Sequence, residues 1–403
     1  MNDKMQTITK RPTLAILVVI SMGGTLAMNI ILPSLPGIQK TFHTDYATVQ
    51  LTLTLFLAGL AIAQLIYGPL SDRFGRRPIA LYGLVILFVG TGICFLADSI
   101  EVMIFGRIVQ AVGGCAGIVI GRAMVRDLYD MDRAAAMIAY LTMATVVAPT
   151  LAPLIGGYLE EWFSWSASFV FILIVTAMSL IAAFFAAHET LPPSKRHEGH
   201  FLQMFSSFRH LLGNSLFAGY ASQVGFSTAA YFAFLGGSPF VMINLMGGSP
   251  AELGLYFAVV SVFYISGNYG TAQFAKKVGV HRMVKIGTLV ALAGALSMLT
   301  VVSMVGLTPV TFFGIMCVLA FGNGICISSG MAAAISADPE RVGAAAGLAG
   351  SMQIGFSAVS SFIGGVVLAY YETTAVPLLV VMVICCVLAV ASPLLRKRTL
   401  SQV

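Results

Sequence analysis

The sequence predicts an all-α integral membrane protein of twelve transmembrane helices. Hydrophobic residues make up 58% of its 403 positions and charged residues only 9%. Apolar runs of about 20 residues, the length that crosses a lipid core, recur from one end of the chain to the other, and Lys and Arg cluster in alternate breaks between them. Soluble chains carry roughly 25% charged residues, so the apolar surface exceeds what one packed core can hide. Lipid is the remaining solvent, and helices are the form that pairs every backbone group inside it.

The first run, 13–33, follows Lys4, Lys10 and Arg11. It imitates a signal peptide, but it has the length of a span and no small-x-small site closes it, so an uncleaved first helix is expected. The remaining spans are expected at 47–70, 78–97, 101–124, 134–157, 165–187, 214–243, 251–274, 283–306, 309–332, 342–368 and 374–395. Orientation follows from the basic residues. With the N-terminus inside, Arg73, Arg76, Arg77, Arg122, Arg126, Arg133, Lys195, Arg196, Lys276, Lys277, Arg282, Lys285, Arg341 and Arg396 all reach the cytoplasmic side, and only Lys40 and Arg107 do not. Asp98, Glu101, Glu160, Glu161, Glu252 and Glu372 mark the opposite side. The reading is a multi-pass protein of the cell membrane with both termini cytoplasmic.

The longest polar break divides the chain into an N-terminal six-helix unit (1–187), a cytoplasmic linker (188–213) and a C-terminal six-helix unit with a short tail (214–403). Within the linker, 201–212 is amphipathic enough to lie along the membrane surface. A repeat supports the halves: Gly75 and Gly83 recur as Gly279 and Gly287 at an offset of 204, and Ile155-Gly156-Gly157 recurs as Ile363-Gly364-Gly365 at 208.

Several functions are disfavoured. The formal charge of +6 lies in short clusters between apolar runs, which is a topology signal rather than a nucleic-acid surface. The six cysteines all sit in apolar runs without CxxC spacing, and His197 with His200 lacks a third ligand, so no metal site is implied. No GxxxxGK[ST], HExxH or GxSxG occurs, and no filter-like repeat; neither an enzyme, nor a cofactor, nor a channel is expected.

Between spans two and three stands Gly68-Pro-Leu-Ser-Asp72-Arg73-Phe-Gly75-Arg76-Arg77-Pro78. It resembles the signature loop G-x-L-[AS]-D-R-x-G-R-[RK] of the major facilitator superfamily. Span four holds Arg107-Ile-Val-Gln110-Ala-Val-Gly113-Gly114, similar to the R-x-x-Q-[GA]-x-G motif of the drug-exporting branch. Arg107 lies about 8 Å inside that span, and Gly113, Gly117 and Gly121 form a small-residue ridge beside it. Span five, with Pro149, Pro153, Gly156 and Gly157, is close to the antiporter motif, and its prolines predict a kinked, closely packed helix. The run 50–78, Arg122 to Asp127 and Glu189-Thr-Leu-Pro192 look like the bicyclomycin and chloramphenicol resistance (Bcr/CflA) group. One position departs: where that group commonly has an Asp near the end of span one, this chain has Asn29, which cannot titrate.

The resemblance implies two six-helix bundles around a central cavity and a monomer that works by alternating access, exporting small drug-like molecules in exchange for protons. A facilitator of a sugar or organic acid is the rival. The signature loop, Gly68, Asp72, Arg73, Gly75, Arg76 and Arg77, is then a latch between bundles. Asn29, Gln50, Arg107, Gln110, Arg122 and Asn268 are candidates for cavity and coupling, and Gln223, Tyr231, Tyr264, Asn323 and Gln353 are further polar groups within spans. Each has an alternative as an interhelical hydrogen bond, and Arg107 one as a snorkelling cation.

Overall fold

The computed structural model describes residues 12–129, 137, 141, 150–196 and 201–393. Among the described residues every long element is helical. Span one is α1 (Leu14–Asn29), a short 3-10 turn and α2 (Leu35–Thr41); α3 (Tyr46–Phe74), α4 (Arg76–Phe95) and α5 (Ile100–Leu128) follow. Of span five, 150–162 is described as helix and is termed α6; Pro149 lies outside the described residues. Then come α7 (Trp165–Ala186), the linker helix α8 (Phe201–Gly213), α9 (Ser215–Phe240), α10 (Pro250–Val278), α11 (Val280–Val305), α12 (Ile315–Ile335), α13 (Val342–Tyr370) and α14 (Val376–Ala391). Ten described segments are long and apolar enough to cross a membrane, and α14 is a shorter apolar helix. With the fifth span they make twelve.

Helices α3, α5 and α10 run past the expected span limits at their C-terminal ends. The signature segment is not a loop: Gly68 to Phe74 close α3, Arg76 to Pro78 open α4, and only Gly75 breaks the helix, at φ +101°. That left-handed value favours glycine. A side chain there would also strike the Glu189 carboxylate. Beyond the expected limit of the first span at 33, the chain continues into the short helix α2 where a loop is expected.

Large apolar side chains point outward at helical spacing, Ile174, Met178, Ile181 and Phe185 on α7 and Val85 and Val89 on α4. Such patches are tolerable only against lipid. The inward faces pack through glycine. On α5, Gly113 lies against the Leu87 backbone of α4, and Gly117 against the Ile20 carbonyl of α1. In the second half a side chain at Gly322 of α12 would strike the Ala291 nitrogen of α11, and one at Gly287 would strike the Gly322 oxygen, as one at Gly83 would crowd that of Gly113. Leu87 and Ala291 differ by the same 204 as Gly83 and Gly287. The same helix-on-helix joint is therefore built twice.

Helices α1, α3, α4, α5 and α7 contact one another, as do α9 to α14, and α3 lies along α13 between the groups. One end of the molecule carries Arg73, Arg76, Arg77, Lys276, Lys277 and Arg341, and is called here the basic end; the other carries Asp98, Glu160, Glu161, Glu252 and Glu372.

Candidate functional site

Between the two groups lies a cavity of about 190 Å³. One wall comes from the second group: Thr228, Tyr231, Phe232 and Leu235 on α9, Phe257, Ser261 and Tyr264 on α10, and Gln353 on α13. The facing edge is Met28, Asn29, Thr150 and Pro153. The Tyr231 and Tyr264 rings are 5.9 Å apart at 31°, backed by Phe234 against Phe257 and Phe312. Gln353 donates to Thr228 Oγ1 at 3.0 Å. No charged side chain is among the described lining residues. The arrangement offers flat apolar surface with a few hydroxyl and amide groups, the usual composition of a small-molecule site.

Of the six sequence candidates for cavity and coupling, the structure brings Asn29 to the lining. It is 3% exposed, and its amide donates to the Thr25 carbonyl at 2.8 Å. Arg107 is fully buried but elsewhere, inside the first group, so it neither snorkels nor lines the cavity. Its Nε donates to the Thr52 carbonyl at 3.2 Å, its Nη1 donates to the Ala27 carbonyl at 2.9 Å and to Gln110 Oε1, and its guanidinium lies 4.2 Å from the Phe56 ring centroid. Gln110 in turn donates to Thr91 Oγ1 at 2.9 Å. Helix phase explains the correction: the face that carries Arg107 and Gln110 turns toward α1, α3 and α4.

Gln50 is also buried away from the cavity. It donates to Ser361 Oγ of α13 at 2.6 Å and fills the notches left by Gly236 and Gly365. Tyr46 donates to the Gly236 carbonyl at 2.6 Å beside it. These residues join the two groups at the acidic end. Asn268 donates to the Tyr264 carbonyl of its own helix at 3.1 Å, and Arg122 is exposed on α5. Of the further polar groups, Gln223 and Asn323 are buried around Ser227 within the second group.

At the basic end, Arg76 is the hub. It pairs with Asp72 at 2.6 Å and Asp127 at 2.9 Å, its Nη1 donates to Ser71 Oγ at 2.6 Å, and its backbone N–H donates to Glu189 at 2.9 Å. Thr190 donates to Asp127 at 3.0 Å, and Arg196 lies 3.5 Å from Glu189. Arg77 donates to the Phe184 carbonyl at 2.8 Å, and Arg73 lies over Phe74. All these partners precede α8, so the expected link from Asp72 to the other bundle is not made in this arrangement. Gly68 likewise has open space where a side chain would stand.

At the acidic end, α6 is wedged between the groups. Gly156 packs on the Ile30 carbonyl and Gly157 on that of Pro250, while Gly254 of α10 lies so close to α6 that a side chain there would strike the Pro153 carbonyl. The close packing expected of this helix is present at Pro153, Gly156 and Gly157.

A polytopic helical bundle with paired glycine joints and, between its two groups of helices, a cavity with no charge among its described lining residues is the architecture of a membrane transporter. The chain belongs to the major facilitator superfamily, whose family model matches residues 17–353. It is 30% identical to the bicyclomycin resistance protein homolog of Haemophilus influenzae, over 97% of this chain and 96% of that one. It is 31% identical to a chloramphenicol resistance protein of Pseudomonas aeruginosa, over 68% of this chain and 64% of the relative. Among solved structures, a bacterial homologue of the human lysosomal transporter Spinster, inward-facing and unoccupied, matches with a TM-score of 0.75 and 17% identity, covering 96% of both chains. That likeness shows the fold.

The sequence reading missed Thr228, Phe232, Leu235, Phe257 and Ser261. A signal was present. Thr228, Tyr231, Phe232 and Leu235 stand at i, i+3, i+4 and i+7, and Phe257, Ser261 and Tyr264 at i, i+4 and i+7, so each set forms one helical face.

Proposed function

We propose that this protein exports small, uncharged, drug-like molecules from a bacterial cell by alternating access, driven by proton exchange. The observation that carries the reading is the cavity, aromatic on one wall, amide-bearing on the other, and free of charge among its described lining residues. The relatives named for bicyclomycin and chloramphenicol resistance support the substrate class. On this reading it sits in the inner membrane with both termini cytoplasmic, acts as a monomer and catalyses no chemistry. Residues 1–187 and 214–403 rock against each other, and 188–213 links them. The basic end opens to the cytoplasm in the present arrangement, while Tyr46, Gln50, Pro153, Gly156 and Gly157 hold the acidic end shut. Asp72 and Gly68 are reserved for the opposite state, in which the second bundle approaches the open space at Gly68.

The test is transport in everted membrane vesicles. Radiolabelled chloramphenicol is expected to accumulate on energisation and to be released by a protonophore, with no accumulation across a panel of sugars and organic acids. Uptake of a metabolite without chloramphenicol would overturn the reading.

A further inference from the structure

Among the described buried polar atoms that lack a partner, one is a carboxylate oxygen, Oε2 of Glu160. Glu160 lies near the outer end of α6, three residues beyond the expected limit of span five. Its carboxyl group rests directly on Gly37 of α2, where a methyl group would collide with it. The buried hydroxyl of Ser34 faces it from the elbow between α1 and α2. The charged groups around it are accounted for. Lys40 of α2 acts on it from outside; the adjacent Glu161 accepts from the Ala251 N–H of α10 at 3.3 Å; and Glu252 of α10 accepts from its own cap, Ser249 N–H, at 2.9 Å.

We propose that Glu160 is a proton-binding site that locks the acidic end of the transporter shut, an inference that rests on the proton-driven reading above. A carboxylate with one oxygen buried without a donor is destabilised, and a proton from water at that end removes the charge. The next residue, Glu161, holds the second bundle. Pulling α6 away from α10 therefore exposes the elbow to water, where the carboxyl ionises freely. Proton binding and closure favour each other by linkage. Burial pushes the Glu160 carboxyl up to about 7 in the closed arrangement, against the opposing pulls of Ser34 and Lys40. Closure is then most favoured below the ordinary carboxylate range and weakens as pH rises through the interval up to about 7. Protons on the acidic side act as the signal to close, which is the step that resets an exporter after it has released its cargo.

The experiment uses the full chain in lipid nanodiscs, without drug. Spin labels at Phe163 and Thr373, both exposed at the acidic end on opposite bundles, report its opening; the native cysteines are buried. In the wild type, the population at the short distance is expected to fall as pH is raised from about 5 to about 8, across the window of a raised carboxylate. Glu160→Gln, neutral at every pH, should stay short throughout. Lys40→Gln, which removes the cation that favours ionisation, should move the midpoint to higher pH. A wild-type pH response in Glu160→Gln would overturn the proposal. Were that variant not to fold, an unmoved midpoint in Lys40→Gln would do the same. Because no drug is present, a failure here leaves the export reading standing, and absence of drug transport leaves the pH response standing.

Discussion

Arg107 has a guanidinium in a protein interior with no carboxylate among its bonded partners; two backbone carbonyls, one amide oxygen and one aromatic face hold it instead. The duplicated joint supplies the comparison. Counting from Gly113 and Gly322, the second half has Met316 where the first has Arg107, and Leu319 where it has Gln110. A single Arg107→Met should therefore be costly, because each buried acceptor left orphaned is worth about 1 to 3 kcal/mol. The double variant Arg107→Met with Gln110→Leu copies the apolar pair already packed in the other half and should recover much of the melting temperature in detergent. Efflux is expected to stay low in both if the cluster serves transport, and to return with stability in the double variant if it is only glue. At the basic end, Asp72→Asn removes charge with little change of shape. Because Asp72 is about half exposed here and Arg76 keeps Asp127, normal membrane insertion with impaired efflux is expected, measured by surface labelling beside drug accumulation.

Helices were the most legible level of the sequence. Lipid sets their length and the backbone must pair within them, so span count and order follow from run length alone. Depth was legible too, and Arg107 is as buried as its position inside span four implied. Facing was not, because several helices here are apolar on most sides and a lone polar residue does not say which neighbour it meets. Gln50 thus turns out to join the bundles, while the cavity wall hid in the phase of α9 and α10. Glycines divide by the same logic into two kinds. Gly113 touches the α4 backbone now, so Gly113→Val should abolish accumulation of folded protein, and Gly322→Val likewise in the other half. Gly68 touches nothing within 4 Å. Gly68→Val is expected to fold and insert normally yet to slow export several-fold, which gel filtration paired with vesicle transport distinguishes from a folding defect.

At the scale of the whole molecule, the contacts that join the two groups of helices were not legible, since they link residues as distant as Gln50 and Ser361. The uncharged cavity makes a prediction about cargo. A permanent cation entering it finds no counter-charge among the described lining residues, and an unpaired buried charge is costly. Chloramphenicol should be exported well and ethidium poorly, and Asn29→Asp should shift the balance toward ethidium, read as growth protection across pH. Strong wild-type protection against ethidium would sink that account.

The Arg107 cluster also bears on how the protein is made. Its acceptors, Ala27 and Thr52, lie on the first two spans, and the cation lies on the fourth. Ribosomes deliver the chain from the N-terminus, so the groups that receive the arginine reach the membrane before it does. A transmembrane arginine is expensive only while it waits for partners, and this order removes the wait. A circular permutant that begins at α4 would present Arg107 to lipid first, and insertion is where it should fail.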